Sequence, residues 1–270
     1  MQRSLKDLEG YTVSATDGEI GTVVNFLLDD ERWIVRYLVV DTGGFWNAGS
    51  HVLISPISFR QADWSTRHFH LALTRDKIKQ SPSVDVEKPV SRQHEVDFNR
   101  YYGYPLYWGY AGAWGMGAYP AMLAGGPWNE PPIEHVDKAP GDIHLRSARE
   151  VRGYHIQGKD ATIGHVDDFI VDDATWEIRY LVIDTSNWWL GKKVLVAPDW
   201  AYRVSWRERM VYVDVSRDVI KSSPEWDATA SINREYETHL YDYYGRPVYW
   251  DKTAGLPGSL MPRHSGSQPA

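Results

Sequence analysis

The feature that most constrains this chain is a strand-like run that occurs twice. Trp33-Ile34-Val35-Arg36-Tyr37-Leu38-Val39-Val40-Asp41-Thr42 returns as Trp176-Glu177-Ile178-Arg179-Tyr180-Leu181-Val182-Ile183-Asp184-Thr185, 143 positions later. So dense a run of β-branched and aromatic residues, closed by Asp-Thr and a turn, reads as a strand buried on part of both faces. The repeat extends well beyond it. Gly10-Tyr11 matches Gly153-Tyr154, Gly21 matches Gly164, and Asp29-Asp30 matches Asp172-Asp173 at the same offset. After Trp46 and Trp189 the offset falls to 142, a one-residue deletion in a loop, where length changes cost little. Two copies of one domain are therefore expected, and 270 residues accommodate them.

In the first copy the pattern predicts short strands near Tyr11–Ser14, Ile20–Leu28, Trp33–Val40, His51–Ser55 and His68–Leu73, then a helical turn over Thr74–Lys79. Asp-Gly, Asp-Asp and Asp-Thr-Gly-Gly turns separate them, which suits hairpins rather than βαβ crossovers. The expected fold class is mainly β: two tandem small antiparallel β-barrels, each followed by a short helix and an aromatic arm. The helices start at Ser91 and Asn233 and stop at Gly103 and Gly245. The arms read Tyr104-Pro105-Leu106-Tyr107-Trp108 and Arg246-Pro247-Val248-Tyr249-Trp250. The boundaries follow: barrel one 1–82, helix and arm 83–108, a Gly/Ala/Pro/Trp-rich linker 109–141, barrel two 142–224, helix and arm 225–250, and a disordered tail 251–270. The linker carries Trp114, Tyr119 and Trp128, so it is expected to lie partly on the domains.

Several function classes are disfavoured by composition. A net charge of -7 argues against affinity built on neutralising phosphates. Without cysteine there is no disulfide, thiolate nucleophile or Cys-ligated zinc. No signal-peptide h-region and no stretch near 18 apolar residues is found, so a cytoplasmic protein without a transmembrane segment is expected.

The pattern Leu8-Glu9-Gly10-Tyr11, then Asp17-Gly18-Glu19-Ile20-Gly21, then an apolar strand ending in Asp41, resembles the PRC-barrel domain. That domain occurs in the cytoplasmic part of the H subunit of purple bacterial photosynthetic reaction centres and in a ribosome-maturation factor. The resemblance covers about residues 4–82 and 147–224, and the second copy departs from it where Ala161 replaces Gly18. It implies the barrel fold and leaves activity open. It permits an RNA- or ribosome-associated factor, or a component attached to a membrane complex, as alternatives to the reading below.

No catalytic constellation can be assembled by spacing. The pairs Asp29-Asp30, Asp167-Asp168 and Asp172-Asp173 suit turns better than a shared site, because neighbours on a strand face opposite ways. His68 and His70 share one strand face as half of a possible metal site, but Met210 and Tyr212 replace them in copy two and no third ligand is near. Arg36 and Arg179 are assigned structural roles, paired with Asp41 and Asp184 or with a carboxylate on a neighbouring strand, and Gly21 and Gly164 are assigned structural roles too. Phe45-Trp46 and Trp188-Trp189 follow the central strands and read as binding anchors, as covers for a barrel end or seam, or as stacking platforms. Together with Tyr104, Tyr107, Trp108, Tyr249 and Trp250 they form the expected partner surface. The expectation is a non-enzymatic scaffold or adaptor without cofactor or metal. It holds an unidentified protein, with the copies forming a pseudo-dimer whose arms cross or clamp, or with the chain forming a homodimer. Nucleic acid is disfavoured.

Overall fold

The computed structural model describes residues 1–43, 51–82, 90–108, 110, 112–124, 126, 143–185 and 192–251. The chain divides into two compact units, Met1–Ile232 and Asn233–Ala270. In the first, copy one runs β1 (Gln2–Ser4), α1 (Leu5–Leu8), β2 (Thr12–Ala15), β3 (Gly18–Asp29), β4 (Ile34–Asp41), β5 (His51–Ile54), β6 (Phe59–Asp63), β7 (His68–Leu71), α2 (Arg75–Lys79), β8 (Val90–Ser91) and α3 (Arg92–Tyr102). Copy two follows with β9 (Ile143–Ser147), α4 (Ala148–Val151), β10 (His155–Gln157), β11 (Thr162–Asp172), β12 (Ile178–Asp184), β13 (Lys193–Val196), β14 (Ala201–Ser205), β15 (Met210–Val213) and α5 (Arg217–Ser222). The second unit contains α6 (Arg234–Tyr244), capped by Asn233, whose Oδ1 accepts the Tyr236 N–H at 2.8 Å, and closed by Gly245 at φ 62°.

The two sheets have matching orders, β5-β4-β3-β2-β7-β6 and β13-β12-β11-β10-β15-β14. This corrects the expected closed antiparallel barrels on two counts. β2 pairs with β7, and β10 with β15, in parallel, and neither sheet closes. Hairpin signals specify only neighbours in sequence. The β2–β7 pairing is long-range, and its direction depends on the 3-10 corner Pro56–Ser58, which turns the chain into β6. That strand, Phe-Arg-Gln-Ala-Asp, has no apolar alternation and so was not expected. The turn after β2 does differ between copies: Ala15 pairs with Gly18 in the first, whereas the second bows out over Gly158–Ala161 before Gln157 meets Thr162.

The copies are joined by a reciprocal exchange of their first strands. β1 adds to β11 of copy two, pairing Arg3 with Val171, and β9 adds to β3 of copy one, pairing Arg146 with Leu28. Each visitor is held by equivalent contacts. Arg3 Nε donates to Asp173 at 2.8 Å, and Arg146 Nε to Asp30 at 3.2 Å. Ser4 donates to Asp168, while Asn25 Nδ2 donates to Ser147 at 2.7 Å. Leu5 and Leu8 behind β1 are buried, each burial contributing about 1.5–3 kcal/mol. Leu145 of β9 enters the copy-one core with Leu27, Tyr37, Val39 and Phe98. Exchanging these strands therefore covers two sheet edges and supplies core residues at once.

A second seam joins the central strands. Trp33 and Trp176 adopt left-handed backbone, φ 55° and 60°, unusual for bulky residues. The conformation turns each carbonyl toward the other copy: Trp33 O accepts Ile178 N–H at 2.7 Å, and Trp176 O accepts Val35 N–H at 2.9 Å. The strands thus begin at Ile34 and Ile178, one and two residues after the expected Trp starts. Within the first unit the two copies are joined by exchanged strands and by this seam.

Candidate functional site

Arg36 is the largest fully buried side chain, 1% exposed, in the middle of β4. Burying an unpaired guanidinium would be prohibitive, so the surroundings must answer it. Its Nη2 donates to Asp29 Oδ2 at 2.8 Å and its Nη1 to the Ala113 carbonyl at 2.7 Å. Tyr107 covers one part of the guanidinium at 3.6 Å and Trp114 lies 5.0 Å away. The partner is thus Asp29 on the neighbouring strand, not Asp41, whose Oδ1 instead accepts Gly43 N–H at 2.9 Å. Asp29 also caps its own turn through Oδ1, which accepts the N–H groups of Glu31 and Arg32. The adjacent Asp residues divide their labour: Asp29 and Asp172 hold turns, while Asp30 and Asp173 pin the exchanged strands.

Beside this pair lies a buried carboxyl. Glu95 of α3 accepts from Tyr107 Oη at 2.8 Å and from Tyr37 Oη at 3.3 Å, and Asn99 accepts from Tyr37. Burial pushes the Glu95 carboxyl up to about 7, against the opposing pull of the Tyr107 bond, Arg36 and Arg92. Burial also holds the Tyr37 and Tyr107 hydroxyls well above the usual phenol range. Sequence reasoning missed this cluster, although a signal was there. Glu95–Tyr107 and Glu237–Tyr249 repeat with the same twelve-residue spacing, and within the second unit Tyr249 Oη donates to Glu237 Oε1 at 3.1 Å.

These contacts settle where the arm residues sit. Tyr104 and Tyr107, expected on a partner-facing surface, are buried at 9% and 5% exposure, because their rings close over the core and over Arg36. Trp108 is half-buried with the Arg92 guanidinium 4.8 Å from its ring, and in the second unit Arg234 lies 3.9 Å from the half-buried Trp250. Phe45, Trp46, Trp188 and Trp189 lie outside the described residues. Arg179 Nη1 meets Glu177, the residue before β12, at 2.6 Å. Gly21 and Gly164 are required by close approach: a Cβ there would come within 1.9 Å of Asp41 O and 2.1 Å of Asp184 O. The His68 and His70 rings stack 4.6 Å apart, and His68 Nε2 shares a 2.6 Å hydrogen bond with Ser14. Among the described residues no group of three possible metal ligands is found.

A buried glutamate near neutrality has the profile of a general base. The space beside it, lined by Arg36, Tyr37, Asn99, Tyr107 and Trp114, is only about 10 Å³. That holds no more than a water molecule. The cluster therefore works as a clasp: it fastens the arm to helix α3 and strand β4. A larger groove of about 450 Å³, lined by Arg3, Asp7, Tyr11, Arg67 and Trp226 among others, is mainly polar.

The fold and this clasp define a duplicated, strand-exchanged β protein whose first copy is buttressed by helix α3. The chain belongs to the PRC-barrel domain family, whose model matches residues 1–64 and 144–220, just over half of the chain. The matched segments coincide with the two copies, as the resemblance implied. Membership suggests a protein-interaction or scaffold role. No curated protein matches the chain. Among the described residues, no helix is long and apolar enough to cross a membrane.

Proposed function

We propose that this protein is a non-enzymatic adaptor that holds another protein through the Trp-bearing loops after its two central strands. The observation that carries this reading is the seam between β4 and β12. The first residue of β4, Ile34, forms an antiparallel bridge with Glu177, the residue just before β12. The two strands therefore leave the shared contact in opposite directions, toward Phe45-Trp46 and Trp188-Trp189. A frame joined by exchanged strands carries both described stems, which end at Gly43 and Thr185, so two binding loops on it would act as a bivalent pair. Fixing two weak contacts on one frame raises avidity without new contacts. The test compares proteins retained by the intact chain and by a variant carrying Phe45→Ala, Trp46→Ala, Trp188→Ala and Trp189→Ala. At least a tenfold drop in a specific partner is expected. An identical retained set at identical yield would sink the proposal.

A further inference from the structure

One difference between the copies changes what a buried tyrosine can bond. Asp7 and Glu150 hold the same place in the short helices α1 and α4: Ser4 Oγ accepts the Asp7 N–H at 3.1 Å, and Ser147 Oγ accepts the Glu150 N–H at 3.2 Å. In copy two the glutamate reaches the matched tyrosine, and Tyr154 Oη donates to Glu150 Oε1 at 2.8 Å. In copy one the acid is shorter by a methylene and this bond is not made. Tyr11 is only 6% exposed, its ring packed against Phe69 and Trp64, yet its hydroxyl is solvent-accessible and has no partner among the described residues. The groove of about 450 Å³ lies here, with Tyr11 and Asp7 both in its lining.

Arg67 lines the same groove. Its guanidinium lies 4.8 Å from the Tyr11 ring and is held by Nη2, which donates to the carbonyls of Asp7 and Glu9 at 2.9 and 3.3 Å. Nη1 and Nε have no acceptor among the described residues, and the Asp7 carboxylate has no donor there. Arg3, also in the lining, is already engaged: it donates to Asp173 and stacks 3.7 Å from the Trp64 ring.

We infer that this groove binds a small zwitterion of the amino-acid type, whose carboxylate accepts from Tyr11 and Arg67 and whose ammonium meets Asp7. The second copy shows the chemistry, since the group that the matched tyrosine bonds there is a carboxylate. A guanidinium with two unspent donors suits the two oxygens of a carboxylate. Asp7 repels a simple anion and Arg67 a simple cation, so a ligand carrying both charges fits where either alone does not. The volume lies within the roughly 300–1,000 Å³ of small-ligand sites. Leu8, Ile170 and Trp226 in the lining supply apolar surface for the ligand's carbon skeleton. The buried ring and the capped helical turn hold Tyr11 and Asp7 in place beforehand, which reduces the ordering that opposes binding. None of these residues belongs to the Trp-bearing loops, so this site stands apart from the function proposed above.

The test titrates the full chain with each of the twenty protein amino acids in turn, read by saturation-transfer NMR. At least one should bind with a Kd below about 1 mM. Its C-terminal amide and its des-amino acid should each bind at least tenfold more weakly. Asp7→Glu, which installs the copy-two residue, should cut affinity at least tenfold without lowering the melting temperature, because the longer acid takes the Tyr11 hydroxyl for itself. Tyr11→Phe, which keeps the ring and removes only the hydroxyl, should cut affinity at least threefold. Absence of binding by all twenty at about 10 mM would overturn the inference. So would affinity indifferent to Asp7→Glu, or acetate and inorganic phosphate binding as tightly as the amino acid, which would mark an adventitious ion only.

Discussion

At the scale of single residues, the clasp makes an unusual pH dependence. Glu95 titrates at about 7 in the folded protein, against 4.5 for the ordinary side chain. The folded state therefore binds the proton more tightly, and this contribution to stability is complete below about pH 4.5 and lost as pH rises through about 7. At about 1.4 kcal/mol per pH unit the loss is about 3 kcal/mol across that window. Thermal unfolding between pH 5 and 8 should show it, and Glu95→Gln, which keeps the shape without the charge, should flatten the profile. A parallel decline in the variant would place its origin elsewhere. The glycines allow a second prediction. Gly21→Ala drives a methyl into Asp41 O and should destabilise by more than about 3 kcal/mol, whereas Gly10→Ala meets open space and costs about 1 kcal/mol for its φ of 79°. Urea midpoints that rank the two the other way would contradict the close-approach argument. Gly21 was legible as structural because both copies keep it. The partner of Arg36 was not, since Asp29 and Asp41 stood equally available along the sequence.

At the scale of elements, sequence periodicity located β2 to β5, β7 and both major helices, because each is local in its causes: alternation, capping and a glycine stop. It missed β1, β6 and β9. Those strands are short or polar and exist because a sheet edge awaits them, not because their own residues demand extension. Their contacts lead to a test. Arg146 and Asp30 lie 116 positions apart yet meet at 3.2 Å, with side chains only 14% and 9% exposed. A double-mutant cycle with Arg146→Ala and Asp30→Ala should give a coupling of about 1 kcal/mol, above the typical exposed pair because both groups are largely shielded. Additive losses would mean that the exchanged strand is held by its backbone ladder alone.

For the molecule as a whole, strand exchange predicts what half of it will do. A fragment of residues 1–126 retains β1 but loses β9, so the edge of β3 stands open and β1 has no host. β1 shares its key residues with β9: Arg3 matches Arg146 and Ser4 matches Ser147. Each fragment can therefore lend β1 to the β3 edge of another, and light scattering should find a dimer at micromolar concentration. A folded monomer would show that the exchange is dispensable.

By itself the sequence determined the duplication, the β class, the helix boundaries and the glycines that close approach requires, since all follow from local chemistry written twice. Which edges the first strands cover, which carboxylate answers the buried arginine, and whether an aromatic faces water or core were decided only in the tertiary structure. Those outcomes depend on groups that lie far apart in sequence, such as Arg36 with Ala113 or Arg3 with Asp173, and periodicity carries no information about which distant partner fills a given space.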